Sequence, residues 1–92
     1  MLINGMTLKE MANYLVSLSS DQLNKLGENY SGFQVPLGTK LNYEDSIFFA
    51  MYTAAGICKI FNDNKLKEFV FEDLSEGEHC VVLAEMRKRN LI

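Results

Sequence analysis

The chain has 92 residues, of which 48% are hydrophobic and 11% aromatic, and its formal net charge is −3 at pH 7. This length predicts a single domain, residues 1–92, and the composition argues against a disordered chain. The mild negative charge gives no general attraction to nucleic acid or anionic lipid, so neither is an expected partner.

Cysteine usage and the apolar segments predict a cytoplasmic location. Cys58 and Cys80 are too few for a disulfide framework and lie in apolar surroundings, as reduced buried thiols do. The first residues lack the basic start and apolar run of a signal peptide. The uncharged run 46–58 is shorter than the ~20 residues that span a bilayer, so no membrane association is expected.

Two helices are predicted at the N-terminal end. Thr7 and Glu10 fit a capping box, and apolar residues follow at helical spacing: Leu8, Met11, Leu15 and Leu18. Residues 19–21 offer a second N-cap, and Gly27 is expected to close the second helix, giving a helical hairpin. Residues 28–42 are predicted to be a connector, with a short extended piece around Phe33 and Val35.

The uncharged run 46–58 predicts a central helix over residues 43–55, with Glu44 and Asp45 in its first turn and Gly56 at its end. A buried strand is the alternative. The run is apolar all round, so it has to be covered all round. One face carries Ile47, Met51, Ala54, Cys58 and Phe61. The other is predicted to be a dimer interface, with a purely internal core as the alternative: Phe49, Tyr52, Gly56 and Ile60.

The C-terminal third predicts a β-hairpin and a helix. Residues 57–61 and 66–71 are short aromatic or β-branched runs that flank turn formers at 62–65. Residues 75–89 predict a helix, with Ser75 and Glu78 as its capping box and basic residues at its end; a strand over 78–86 is the alternative. The fold class predicted is therefore α+β, comprising an N-terminal helical hairpin, a central buried helix, a short β-hairpin and a C-terminal helix. An all-α fold is the alternative.

The sequence predicts no enzyme, no cofactor and no metal site. One histidine, His79, and two cysteines without C-x-x-C spacing supply neither the four ligands of a zinc site nor a nucleophile with its base. His79 and Cys80 are adjacent, so on a helix they point about 100° apart. A ligand-binding domain or enzyme with a pocket that uses Cys58, Cys80, His79 or Tyr52 remains an alternative.

An acidic segment is the second candidate site. Five acids follow one another without an intervening Lys or Arg: Glu68, Glu72, Asp73, Glu76 and Glu78. The simplest interpretation is a solvated face, and the functional one is a docking surface for a protein partner. We therefore expect a small dimeric protein-binding module that inhibits or regulates a larger macromolecule, for example a phage or mobile-element protein acting on a host enzyme. A DNA-mimicking inhibitor is the alternative that uses the same acids.

Overall fold

The computed structural model describes residues 2–3, 5–29, 43–69 and 73–92. Its described part is predominantly helical, with five helices: α1 Leu8–Ser17, α2 Ser20–Asn29, α3 Tyr43–Ile60, α4 Asp63–Phe69 and α5 Glu76–Lys88. Two strands of two residues, β1 Leu2–Ile3 and β2 Met6–Thr7, pair antiparallel ahead of α1. Gly5 lies between them at φ 80°, a conformation that glycine adopts without strain. The architecture is thus closer to the all-α alternative than to the predicted α+β class.

The two capping boxes expected from the sequence are confirmed. Thr7 Oγ1 accepts from the Glu10 amide at 3.1 Å, and Glu10 Oε1 accepts from the Thr7 amide at 3.0 Å. Ser75 and Glu78 make the same pair of bonds at the start of α5. The hydrogen bonds from the Thr7 backbone and side chain lower the pKa of the Glu10 carboxyl. These local signals place both helix starts correctly.

Two predicted helix ends are wrong. α2 starts after a reciprocal pair of bonds between Ser19 and Gln22, but it continues through Gly27 to Asn29. α3 likewise continues through Gly56 to Ile60. A glycine inside a helix costs only about 1 kcal/mol relative to alanine, so neither glycine forces an end. Continuing α3 also buries Cys58, which offsets that cost.

The core forms where α5 packs against α1 and α3. α1 contributes Leu15, α3 contributes Met51, and α5 contributes Val81 and Val82; all four are fully buried. Residues 78–86 are helical, so the strand alternative for them is wrong. α2 lies on α3, where Tyr52 Oη donates to the Leu23 carbonyl at 2.9 Å.

The predicted β-hairpin over 57–71 is wrong. Residues 57–60 are the last turn of α3, and α4 follows after Phe61 and Asn62. Asn62 Oδ1 accepts from the Lys65 amide at 2.8 Å, so the residues interpreted as a turn are a helix N-cap and first turn. Leu66 is buried, and the rings of Phe61 and Phe69 meet edge to face at 5.5 Å. The connector was predicted over 28–42, but residues 28 and 29 belong to α2. The rest of it, 30–42, and residues 70–72 lie outside the described residues.

Replacing each of two helical glycines by alanine should change the free energy of unfolding in opposite directions. A Cβ on Gly77 would lie 2.9 Å from Met51 Cγ, inside the core, whereas a Cβ on Gly56 would meet only Leu23 Cδ2 at 3.9 Å. Gly77→Ala should therefore lose about 1–2 kcal/mol of unfolding free energy through overpacking. Gly56→Ala should gain about 0.5–1 kcal/mol from helix propensity. Urea denaturation of both variants measures the difference, and equal shifts of one sign would contradict this packing.

Candidate interaction surfaces

The outer face of α3 carries an exposed apolar strip. Ile60 is 81% exposed, Phe49 38% and Ile57 36%, and the side chain of Thr53 between them is also exposed. Positions 49, 53, 57 and 60 follow one another along one face of a helix. These four residues form the α3 strip. The opposite face of α3 is buried in the core.

The predicted interface residues divide between two environments. Phe49 and Ile60 belong to the α3 strip, whereas Tyr52 and Gly56 are half-buried beside α2. The sequence analysis missed Thr53 and Ile57, although both follow Phe49 at intervals of four residues.

Four of the five predicted acids lie in the described part of the chain, and two of these four have partners within it. Glu78 Oε1 accepts from the Ser75 hydroxyl at 2.5 Å and from the Ser75 amide at 3.3 Å, so this carboxylate caps α5. Glu68 lies 3.7 Å from Lys65 Nζ in an exposed ion pair. Glu72 lies outside the described residues. Asp73 and Glu76 remain as exposed acids at the start of α5.

A cleft adjoins Glu76, where the first turns of α1, α3 and α5 come together. Its volume is about 440 Å³, and it is lined by Thr7, Leu8, Lys9, Tyr43, Glu76 and Cys80. A smaller cleft of about 110 Å³ continues from it over Ile47, Ser75 and Gly77. Tyr43 is 72% exposed at the rim. The cleft therefore offers an apolar floor and an aromatic ring, with one basic and one acidic side chain at its edge.

The two thiols differ in surroundings. Cys58 is fully buried on α3, and burial, followed by the nearby Glu85 carboxylate, raises its pKa to about 11. Cys80 is half-buried and lines the cleft. His79 is also half-buried. Within the described ranges, no three His, Cys, Asp or Glu side chains form a group that could hold a metal ion.

Thiol chemistry should separate the two cysteines. We expect a maleimide to label one thiol of the folded protein, Cys80, and to reach Cys58 only on unfolding.

The stability of the protein should fall as pH rises from about 9 to 11. Burial raises the pKa of the Cys58 thiol, so in this window the folded state keeps the proton of Cys58 while the unfolded state loses it. Cys58→Ala should be less stable at pH 7 but lose less between pH 9 and 10.5. Parallel pH profiles of wild type and variant, measured by urea denaturation, would contradict this.

Lys88 and Arg89, at the basic end of α5, contact α1, α3 and α4, and the sequence did not predict these contacts. Arg89 donates to Glu85 Oε2 at 3.0 Å, to the Phe61 carbonyl at 2.7 Å and to the Cys58 carbonyl at 2.8 Å. It also contacts Asp63 Oδ1 at 3.2 Å. Burial lowers the pKa of the guanidinium, but the bonds and charges of Glu85 and Asp63 outweigh burial and raise it.

Lys88 makes a similar bond, from its Nζ to the Val16 carbonyl at 2.9 Å. Val16 lies in the last turn of α1, where carbonyls have no partner within the helix. Lys88 and Arg89, which the sequence predicts as basic residues at the end of the helix, therefore hold the C-terminal ends of α1 and α3 against α5.

No family model, curated protein or solved structure matches the chain. In the part of the chain that is described, no helix combines the length and apolar character needed to cross a bilayer.

Proposed function

We propose that the protein is a small protein-binding module that self-associates through the α3 strip and regulates or inhibits a larger protein. The observation that carries the proposal is the exposure of Phe49, Ile57 and Ile60 along one face of the central helix. Full burial of an isoleucine side chain is worth roughly 1.5–3 kcal/mol. A two-fold interface uses each residue twice, so this strip supplies a substantial driving force for pairing.

Self-association is tested by mass in solution. Ile60→Glu places a carboxylate on the most exposed strip residue, so it should leave folding unchanged while it weakens the dimer by more than about 100-fold, as expected for loss of two buried isoleucines. Tyr14→Glu is the matched control, since Tyr14 is an exposed apolar residue on α1. Light scattering over a concentration series should give dimeric wild type, dimeric Tyr14→Glu and monomeric Ile60→Glu. A monomeric wild type at all concentrations would contradict the proposal.

The surface proposed for the regulated partner is the start of α5 with its cleft. Asp73 and Glu76 supply negative charge, and Leu8 and exposed Tyr43 supply apolar contact. Charged residues at the rim of an interface act mainly on partner selection and on the association rate. This arrangement suits a partner that presents a lysine or arginine beside apolar residues.

Charge reversal tests that surface. Asp73→Lys with Glu76→Lys should abolish capture of the partner from a host lysate. Asp21→Lys is the control, because Asp21 is also an exposed acid in the first turn of a helix and its loss carries a similar helix-dipole penalty. Equal capture by all the proteins would remove this surface from the proposal.

A ligand-binding function is the second candidate, and the cleft is the observation that favours it. A volume of about 440 Å³ lies in the range of small-molecule sites, and Cys80 lines the cleft. A small ligand bound there should slow maleimide labelling of Cys80. The DNA-mimic alternative has less support, because Glu78 caps α5 and Glu68 pairs with Lys65, which among the described residues leaves Asp73 and Glu76 of the five predicted acids.

A further inference from the structure

We propose that two copies of the chain pair α3 against α3 in antiparallel orientation, about a two-fold axis that passes beside Thr53. This inference rests on the proposed function, whose dimer uses the same strip, and it adds the partner and the register. The occupant of the strip is then a second copy of this chain.

Residue positions along the strip are symmetric about Thr53. Phe49 and Ile57 lie four residues before and after it, and Ser46 and Ile60 lie seven residues before and after it; all four are exposed. At a rise of 1.5 Å per residue, these distances are about 6 and about 10 Å along the axis. An antiparallel two-fold therefore brings Phe49 against Ile57 of the partner subunit, and Ser46 against Ile60 of the partner subunit.

Side-chain size supports a crossing at this point. Thr53 is smaller than Phe49, Ile57 and Ile60, and the half-buried residues three positions to either side are Ala50 and Gly56. Helix axes approach most closely where the contacting side chains are small, within a usual range of 8–10 Å. The larger side chains then pack on both sides of the crossing rather than separating the helices.

Charge at the two ends of α3 favours the antiparallel direction. The first turn carries Glu44 and Asp45, and the last turn carries Lys59. Antiparallel pairing brings the acidic end of one helix beside the basic end of the other, and it also opposes the two helix dipoles. Parallel pairing would place four carboxylates at one end and align the dipoles. The complementarity is between helix ends and requires no direct ion pair.

Disulfide formation tests the register. In a Cys80→Ser background, Thr53→Cys should form an intermolecular disulfide under mild oxidation, because its two copies face each other at the axis. The two copies of Ser46→Cys would lie roughly 20 Å apart along the helices, beyond the reach of a disulfide, so its cross-linking should be at least about tenfold slower. A mixture of Ser46→Cys and Ile60→Cys should form the mixed disulfide. Buried Cys58 is common to all variants, and the Cys80→Ser parent measures its background.

The outcomes separate this inference from the function it rests on. Rapid self-cross-linking of Thr53→Cys, Ser46→Cys and Ile60→Cys alike would indicate a parallel pair and overturn the antiparallel register. Dimeric mass without a Thr53→Cys disulfide would overturn the inference but leave a dimer formed elsewhere. Monomeric mass for every variant, and no cross-link, would overturn both the register and self-association, and would leave the α3 strip to a different protein.

Discussion

Replacing Arg89 by methionine should remove about 3 kcal/mol from the free energy of unfolding. This is the lower end of the about 3–5 kcal/mol expected for breaking a buried ion pair, because Glu85 is buried but Arg89 is half-buried. Glu85 is 3% exposed, and its Oε2 accepts from Arg89. Its other oxygen has no hydrogen-bond partner among the described residues. Without the guanidinium, a buried carboxylate would lose its counter-charge. Domains of this kind are stable by only about 5–15 kcal/mol, so the variant should be close to unfolding at 37 °C.

Matched variants separate the buried pair from the basic cluster as a whole. Arg87→Met removes an exposed charge two residues away and should change stability by less than about 0.5 kcal/mol. Glu85→Leu combined with Arg89→Met should recover part of the loss, since the double variant leaves no unpaired charge. Urea denaturation of wild type, Arg89→Met, Glu85→Leu and the double variant gives the coupling energy. Wild-type stability in Arg89→Met would show that the observed bonds do not hold the helices together.

The Arg89→Met substitution should also destabilise residues outside the Glu85–Arg89 ion pair. Arg89 donates to carbonyls of Cys58 and Phe61 at the end of α3 and contacts Asp63 at the start of α4. The Cys58 carbonyl also accepts from the Phe61 amide at 3.3 Å, so Arg89, at the end of α5, adds a second bond to that carbonyl and supplies one to the Phe61 carbonyl. One residue thus fixes where α3 ends and α4 begins. Hydrogen exchange in Arg89→Met should speed up first around residues 58–66.

Structural features that depend on residues close in the chain could be predicted from the sequence, whereas features that depend on distant residues could not. Thr7, Ser75 and their glutamates lie three residues apart, so both helix starts could be predicted from the sequence. The partners of Arg89 and Lys88 lie 26 to 72 residues away, with Glu85 the exception, and no local pattern indicates them. Residues 57–69 were misassigned because Asn62 followed by Asp63 suits a helix N-cap as well as a turn, and burial of Leu66 favours the helix.

The same division applies to the candidate surfaces. The sequence predicted that α3 is apolar on every side, and the structure leaves one side exposed. The packing of α2 against α3 could not be predicted from the sequence. It half-buries Tyr52 and Gly56, whereas Ile57 and Ile60 are exposed. Likewise, the cleft joins the first turns of three helices that are far apart in the chain. A surface formed by one helix could be predicted in outline from the sequence. A surface formed by several helices could not be predicted without knowing how those helices pack.

Leu66→Ala should cost about 3 kcal/mol, within the range of 2–5 kcal/mol for truncating a buried leucine. Leu66 is fully buried, and it is the buried residue of α4. This helix has seven residues, fewer than the ~12–15 that a helix needs to persist alone in water, so its packing has to maintain it. Hydrogen exchange should therefore show α4 opening in the variant under conditions where α1 and α5 remain protected.

Glu68→Ala is the control that distinguishes the helix from the strand predicted by sequence. On a strand, residues 66 and 68 face the same side, and both substitutions would disturb the same packed surface. On the helix, Glu68 is exposed and takes part only in a surface ion pair with Lys65, so its loss should cost less than about 1 kcal/mol. Comparable losses for Leu66→Ala and Glu68→Ala would contradict α4, and with it the way Arg89 links α3, α4 and α5.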